Sequence, residues 1–353
     1  TIELIKTVST NMSIPQITKP VKIDLNGNQL ILSSTINISN KLIITDTSEE
    51  ETGEITFSSG NATFISNSGE FILENGILNS TTSSITNNTN GTMTMNGGEV
   101  RVSIGNNGNL NINDGLITKG ITGRCSGKGT ITIRGGKIEG TGDKLINNAS
   151  CYLEMYGGEV INNSTAAIGN SNSNTAIYNG DNGGYTMNMY GGRVVSNNGL
   201  GIHVRANVNI YGGYVSGKTG GITNSYATLT VGKPTDKTIT QEPEIVGGTY
   251  GIRLSSGNNV IEKGKISGTT YGVQISSSTL TIGKEDGEIN ITNPEIKGET
   301  YGLYRTGGTV NFYDGVLKGK TEGYYDLFND IEKNAIIVSL DRKSGSAGMP
   351  RPI

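Results

Sequence analysis

Apolar and polar residues alternate along most of the chain, with a period of two and not of 3.6. Stretches such as YTMNMY (185–190), ANVNIY (206–211) and TITIRG (130–135) place small apolar residues at every second position. This alternation is typical of a β-strand that buries one of its two faces. The pattern therefore predicts short strands throughout the chain and no long helix.

The alternating segments recur at a regular spacing. In each repeat an apolar residue, here called the anchor, follows a glycine pair or its substitute, and successive anchors lie mostly 21 or 22 residues apart. One repeat is shorter and three contain insertions. The anchors are Leu78, Val100, Ile117, Ile138, Val160, Val194, Val215, Ile245, Ile266, Ile296 and Leu317, with weaker copies at Leu30 and Ile55.

Each repeat is long enough for three short strands and three tight turns, at about 3.3 Å per strand residue. Glycines and asparagine-rich corners are expected to supply the turn conformations. A single coil of this kind cannot bury its apolar residues, whereas a stack of coils encloses a continuous core. The repeat predicts an all-β solenoid, a parallel β-helix.

The coils of the form φxφxGGxφ, where φ is apolar, resemble bacterial surface proteins of the pectin-lyase-like right-handed β-helix superfold. The segment VKIDLNGNQLILSSTINISNKLIITDT (21–47) is similar to the first coils of that group. The resemblance implies right-handed winding and a location outside the cell or on the bacterial surface. It specifies the fold strongly and the function weakly.

The two ends of the chain depart from the repeat. Residues 1–20 are predicted to form an N-terminal cap that covers the first coil, since an open end would expose the core and strand edges. Residues 21–340 are predicted to form the β-helix. Residues 341–353 have lost all periodicity and are interpreted as a linker or tail.

Composition limits the possible partners. The chain has 353 residues, of which 33% are hydrophobic and 53 are glycine, so a thin core is expected. The net charge is −3 and no block of lysine and arginine occurs, which weighs against nucleic acid and anionic membranes as partners. No apolar run reaches the length of a membrane span. We expect no membrane insertion and a monomer.

The two cysteines, Cys125 and Cys151, are too few for a disulfide framework and lie outside any zinc-binding spacing. We interpret them as small buried apolar residues. A single bridge between neighbouring coils is the alternative.

Enzymes of the resembled superfold degrade polysaccharides. Lyases of this type use clustered aspartates to bind calcium and an arginine or lysine as base, and the hydrolases use closely set aspartates. The sequence contains no Asp-Asp pair, no Gly-His-Gly and no recurring set of outward carboxylates. The single histidine, His203, is predicted on the outer face of a third strand, exposed and without a catalytic role.

Two insertions are the most distinctive departures from the repeat. VGKPTDKTITQEPEI (231–245) and IGKEDGEINITNPEI (282–296) leave the same place in their coils. They are predicted to protrude on one side and to flank Lys263, with Asp236 and Asp286 among their carboxylates. Such a groove suits a ligand or a cation; the alternative is that the insertions are two solvated, charge-balanced loops. No cofactor is predicted; calcium remains an alternative because NGDNGG (179–184) is weakly similar to calcium-binding glycine repeats.

Tyrosines recur at equivalent outward positions. Tyr156, Tyr190 and Tyr211 precede the glycine pair, next to Asn188 and Asn209, and are predicted to form an exposed aromatic strip suited to sugar rings. A second column comprises Tyr250, Tyr271 and Tyr301. The alternative is that stacked identical residues serve stability alone.

These observations favour a non-catalytic extracellular adhesin or stalk module. It is expected to bind a glycan, or a host or microbial surface protein, through one face. A polysaccharide lyase or glycoside hydrolase on the same fold is the alternative.

Overall fold

A computed structural model describes residues 1–58, 60, 63–165, 173–180, 185–284 and 290–326. The chain divides into two compact units, Thr1–Ser164 and Thr165–Ile353. Within the described residues there is no helix, and the backbone forms short strands joined by tight turns. The alternation of apolar and polar residues accounts for this, since most strands bury one face, although a few in the second unit, such as Leu200–Val204, bury both.

The first unit consists of 22 strands among its described residues. They are β1 (Ile2–Glu3), β2 (Val8–Thr10), β3 (Val21–Asp24), β4 (Gln29–Leu32), β5 (Ile36–Ile38), β6 (Lys41–Thr45), β7 (Glu54–Phe57), β8 (Thr63–Asn67), β9 (Glu70–Leu73), β10 (Ile77–Ser80), β11 (Ser84–Asn87), β12 (Thr92–Met95), β13 (Glu99–Val100), β14 (Ser103–Asn106), β15 (Asn109–Ile112), β16 (Leu116–Ile117), β17 (Ile121–Gly123), β18 (Thr130–Ile133), β19 (Lys137–Gly140), β20 (Lys144–Asn148), β21 (Tyr152–Met155) and β22 (Glu159–Asn162). They form three parallel sheets, in the orders β1-β3-β6-β9-β12-β15-β18-β21, β2-β4-β7-β10-β13-β16-β19-β22 and β5-β8-β11-β14-β17-β20.

The second unit repeats this arrangement. Its described strands are β23 (Thr175–Asn179), β24 (Met187–Met189), β25 (Arg193–Ser196), β26 (Leu200–Val204), β27 (Val208–Ile210), β28 (Tyr214–Gly217), β29 (Gly220–Asn224), β30 (Leu229–Val231), β31 (Glu244–Gly247), β32 (Tyr250–Leu254), β33 (Asn258–Ile261), β34 (Lys265–Gly268), β35 (Tyr271–Ile275), β36 (Thr279–Ile282), β37 (Glu295–Gly298), β38 (Tyr301–Arg305), β39 (Thr309–Phe312), β40 (Val316–Gly319) and β41 (Glu322–Asp326). The sheet orders are β24-β27-β30-β33-β36-β39, β25-β28-β31-β34-β37-β40 and β23-β26-β29-β32-β35-β38-β41. In each unit successive coils add one strand to each of the three parallel sheets. This arrangement is a right-handed parallel β-helix, so the predicted fold class is confirmed.

The anchors define the register of the second sheet in each unit. In the first unit Leu30, Ile55, Leu78, Val100, Ile117, Ile138 and Val160 pair in succession. In the second unit Val194, Val215, Ile245, Ile266, Ile296 and Leu317 do the same. The spacing between paired anchors ranges from 17 to 30 residues. Turn length therefore varies without changing the register of the strands.

The predicted core is confirmed as well. Eight inward residues predicted in the second unit are all fully buried: Met187, Met189, Val208, Ile210, Ile252, Leu254, Val273 and Ile275.

Buried asparagines form a ladder in the first unit, here called the asparagine ladder: Asn67, Asn87 and Asn106. Each ends a strand of the third sheet and is fully buried. Asn67 Nδ2 donates to Asn87 Oδ1 at 2.8 Å, and Asn87 Nδ2 donates to Asn106 Oδ1 at 2.7 Å. The sequence predicts these corners as turn conformers, yet Asn26 and Asn174 are the only described asparagines with positive φ. The corner asparagines act through their side-chain amides instead.

A disulfide lies at the end of this ladder. Cys125 and Cys151 are bridged, and both side chains are buried. The interpretation of two free thiols is therefore wrong, and the alternative of a bridge is correct. Asn106 pairs with Gly123 in the next strand, where a Cβ would lie 2.9 Å from Cys151 Sγ. The glycine leaves the room that the disulfide needs.

The predicted cap joins the sheets of the first unit. Strand β1 pairs with β3, β2 pairs with β4, and Ile17 forms an isolated bridge with Ile38. At the other end of the chain, β41 still pairs with β38. Residues 327–353, which include the predicted tail, lie outside the described residues.

Candidate ligand-binding site

A loop at residues 232–243 connects β30 to β31 and folds over the coil before it. The loop packs against the glycine pair of that coil. A Cβ on Gly212 would lie only 2.5 Å from the carbonyl oxygen of Gln241, so the close contact needs a glycine. The amide of Gly213 donates to the same oxygen at 3.2 Å. The glycines that the sequence marks as turn residues therefore also hold the loop against the coil.

The loop encloses a cleft of about 350 Å³. Tyr211 lies on one side of this cleft and Lys263, from two coils further along, contributes to another. The remaining lining residues come from the loop: Gly232, Lys233, Pro234, Thr235, Lys237, Ile239, Thr240, Gln241, Glu242 and Pro243. The sequence places the loop beside Lys263 but does not single out Gln241 or Ile239.

Tyr190 and Tyr211 stack on each other beside this cleft. Their ring centroids are 5.1 Å apart and the planes differ by 10°. Stacked rings cover one another's faces, so the column presents edges along its length and a free face only at its end. The next position in the column is Gly232, which has no side chain to cover Tyr211. Tyr211 is therefore the last ring of this stack and lines the cleft, and the predicted flat strip is reduced to this pair of rings.

Asn188 and Asn209 accompany the two tyrosines in the same strands. They pair in register, and Asn209 Nδ2 donates to Asn188 Oδ1 at 2.9 Å. Both side chains are half-buried. This hydrogen bond uses neither Oδ1 of Asn209 nor Nδ2 of Asn188. Each of these two atoms can therefore form a hydrogen bond with a ligand.

Charged groups surround Tyr211. Burial, and to a lesser extent the carboxylate of Asp236, raise the pKa of Tyr211 above its ordinary value. Its phenol therefore stays neutral at physiological pH and can donate a hydrogen bond. Asp236 is itself exposed and lies 3.7 Å from Lys237 Nζ.

The second insertion contacts the first through Asn293. Its Nδ2 donates to Glu242 Oε2 at 2.9 Å, and its Oδ1 accepts from the amide of Gly264 at 2.8 Å. Asp314 anchors the root of this insertion by accepting from the amides of Lys284 and Asn290. Asp286, predicted to face Lys263, lies outside the described residues.

Tyr156 belongs to the first unit and has its own partners. It is 37% exposed, its hydroxyl donates to Glu154 Oε2 at 2.6 Å, and the guanidinium of Arg134 lies 5.7 Å from its ring centroid. Tyr156 therefore contacts residues of the first unit, to which it belongs.

The second tyrosine column differs from the prediction. Tyr250, Tyr271 and Tyr301 pair in register as expected. Tyr250 is buried, however, with its hydroxyl 2.9 Å from Thr223 Oγ1. A cluster of four stacked or tilted rings, with centroids 4.6 to 6.2 Å apart, replaces the predicted column and consists of Tyr271, Tyr301, Tyr304 and Tyr325. Tyr304 and Tyr325, which pair in register in β38 and β41, supply the two added rings, and the spacing of the first three tyrosines does not indicate them.

His203 also departs from the prediction. Its register is confirmed, in a column with Thr223, Arg253, Gln274 and Tyr304. The side chain is only 2% exposed, so the prediction of an exposed surface histidine is wrong. The Tyr178 ring packs edge-on against the imidazole at 5.3 Å, and Ser225 Oγ lies 3.0 Å from Nε2. Neighbouring side chains such as Tyr178 bury the imidazole on the outer face of the strand. The alternation of apolar and polar residues in the sequence does not reveal this burial.

The described part of the chain contains neither a candidate metal site nor a candidate membrane-spanning helix. No group of three or more His, Cys, Asp or Glu residues there is placed to hold a metal ion. No helix there could cross a membrane.

Comparisons of the chain with protein-family models, with curated proteins and with solved structures found no match. The geometry of the cleft is therefore the basis on which a function can be assigned to the chain.

Proposed function

We propose that the chain is a non-catalytic module of an extracellular or surface protein that binds a glycan in the cleft beside Tyr211. The observation that carries this proposal is the position of Tyr211, which ends a stack of two rings and lines a cleft together with polar loop residues. Small-ligand sites combine such an apolar platform with a few placed polar groups.

The chemistry of the cleft suits a sugar ring. The C–H face of a pyranose is apolar and carries partial positive charge, so it packs favourably on the negative face of an aromatic ring. The sugar hydroxyls then need hydrogen-bond partners. Thr235, Thr240 and Gln241 line the cleft, and Asn209 lies in the strand that leads to Tyr211.

The disulfide supports a location outside the cytoplasm, because disulfides form and persist mainly in oxidising compartments. The parallel β-helix is in keeping with the resemblance to bacterial surface proteins of the pectin-lyase-like group. Together they favour a bacterial adhesin or stalk module, and we propose that it acts as a monomer.

A glycan array followed by titration calorimetry tests the proposal. Tyr211→Ala should weaken the binding of any glycan found by roughly fivefold or more, because aromatic anchors dominate such contacts. Tyr152→Ala is the matched control, since Tyr152 is an exposed tyrosine of the first unit. Unchanged affinity of the Tyr211→Ala variant would place the binding elsewhere and overturn the proposal.

The same glycans distinguish the module from an enzyme. Incubation with the protein should release neither unsaturated nor reducing sugars. Steady release of either product, in proportion to protein concentration, would replace the binding module by the lyase or hydrolase alternative.

A further inference from the structure

The cleft carries positive charge that its own residues do not neutralise. Lys233, Lys237 and Lys263 line it. Lys237 has the carboxylate of Asp236 at 3.7 Å. Among the described residues, neither Lys233 nor Lys263 has a carboxylate within 4.0 Å. Two ammonium groups are therefore available to a ligand.

Among the described residues that line the cleft, Glu242 is the one acidic residue, and it contacts the second insertion. Glu242 accepts a hydrogen bond from Asn293 Nδ2, on the second insertion, at 2.9 Å. Asn293 is itself fixed by the amide of Gly264. One oxygen of Glu242 is therefore directed toward the second insertion, and among the described lining residues three lysines outnumber this single carboxylate.

The size of the cleft limits the ligand. A volume of about 350 Å³ lies near the lower end of the range for small-molecule sites, about 300–1,000 Å³. It suits one sugar residue or a disaccharide at the end of a chain, whereas an extended polysaccharide would need a longer groove.

We infer that the cleft recognises a terminal sugar residue that bears a carboxylate. The sugar ring packs on Tyr211, and the carboxylate faces the ammonium groups of Lys263 and Lys233. This inference depends on the proposed glycan-binding function and adds the charge of the sugar to it. Lysine suits the role because its flexible point charge can follow a carboxylate without a fixed geometry.

The test uses three acidic trisaccharides, which end in glucuronate, galacturonate or sialate, each beside its carboxyl-reduced neutral counterpart. Titration calorimetry with the whole chain should show that at least one acid binds about fivefold or more tightly than its neutral counterpart. The difference should shrink as salt rises from low to physiological concentration, because salt screens exposed charges.

Variants locate the effect. Lys263→Gln and Lys233→Gln should each reduce the preference for the acid while the affinity for the neutral counterpart stays unchanged. Lys265→Gln is the matched control: Lys265 lies in the next strand, is exposed, and does not line the cleft. Circular dichroism of each variant confirms that the fold is intact.

The outcomes separate the inference from the proposed function. Equal binding of acid and neutral partner, with both still dependent on Tyr211, would overturn the charge inference and leave the glycan site in place. Failure of all three acids to bind would likewise overturn it. If no glycan on the array depends on Tyr211, the proposed function itself fails.

Discussion

The asparagine ladder of the first unit and the Tyr190–Tyr211 stack of the second unit are both columns of identical residues, with opposite environments. Asn87 is fully buried, and its amide bonds both of its ladder neighbours. The tyrosine rings are half-buried, and Tyr211 lines a cleft at the end of the stack. In sequence the two columns look alike, since each repeats one residue type at the coil spacing.

The difference between them shows how to separate structure from function in a repeat protein. A buried column satisfies its own polar groups and leaves nothing for a ligand, because an unpaired buried amide is costly. A column that is partly exposed and ends beside a cleft retains an unused surface. The end of a column is therefore more informative about binding than its length.

Replacing the central rung of the asparagine ladder should give the largest effect. Asn87→Leu removes its two hydrogen bonds to Asn67 and Asn106 and leaves their polar atoms without this partner inside the protein. We expect the free energy of unfolding to fall by about 4 kcal/mol, from about 1–3 kcal/mol for each buried polar group left unsatisfied. Urea denaturation measures this loss.

The control for this variant is Asn88→Leu. Asn88 is the next residue and only half-buried, and its amide bonds the hydroxyls of Ser66 and Ser68. Asn88→Leu should lower the free energy of unfolding by less than about 1 kcal/mol, as most surface substitutions do. Equal losses in the two variants would mean that burial of the amide is not what makes the ladder structural.

Removal of the disulfide should have the next largest effect. A bridge across 26 residues is worth about 3.5 kcal/mol through the loss of entropy in the unfolded chain. We expect a Cys125→Ala/Cys151→Ala variant to lose this amount in urea denaturation. Hydrogen exchange should locate the loss of protection in peptides of the first unit, and dithiothreitol should not change the variant further. A variant as stable as the parent would show that the neighbouring hydrogen bonds suffice.

Lowering the pH should reduce the free energy of unfolding of the first unit, because Asp46 becomes protonated. Burial alone would raise the pKa of Asp46, but hydrogen bonds from the amides of Gly27 and Gly53 and from Ser48 outweigh it and lower the pKa. A lowered folded pKa means that the contribution is present above the ordinary value of about 4 and is lost as the pH falls through the folded value.

The measurement compares the parent with Asp46→Asn between pH 7 and pH 2. Asp46→Asn should be less stable at pH 7, and its melting temperature should fall less on acidification. Parallel pH profiles for both proteins would contradict this assignment. The effect should be smaller than that of the asparagine or disulfide variants, because one group alone is titrated.

The tyrosine stack should show the smallest effect on stability. We expect Tyr190→Ala and Tyr211→Ala each to cost about 1 kcal/mol or less, the value of one aromatic contact at a partly exposed site. Thermal melting checks this. A loss comparable to that of Asn87→Leu would show that the stack is structural, and the contrast between the two columns would disappear.

Much of the fold could be predicted from the sequence, because the buried anchors recur and each follows a glycine pair or its substitute. The anchor positions alone give the strand register in each unit. The sequence also points to Tyr211, Lys263 and the 232–243 loop, and all three line the cleft of the candidate site.

The remaining features depend on contacts that a periodic pattern does not encode. The burial of His203 results from the neighbouring Tyr178 ring, and Tyr211 ends its stack because the next position in the column, Gly232, has no side chain. The disulfide depends on the space above Gly123. Each of these is a relation between two coils at one point, whereas the repeat describes what all coils share.

The constant register of the anchors also bears on how such a chain can change over generations. Because 17 to 30 residues separate anchors that still pair directly, residues can be gained or lost in a turn without disturbing the strands on either side. Loop length costs little by itself, since closure entropy grows slowly with length. Natural selection can therefore lengthen or rewrite a loop such as 232–243 while the core sequence stays the same, and one scaffold can acquire new specificities one turn at a time.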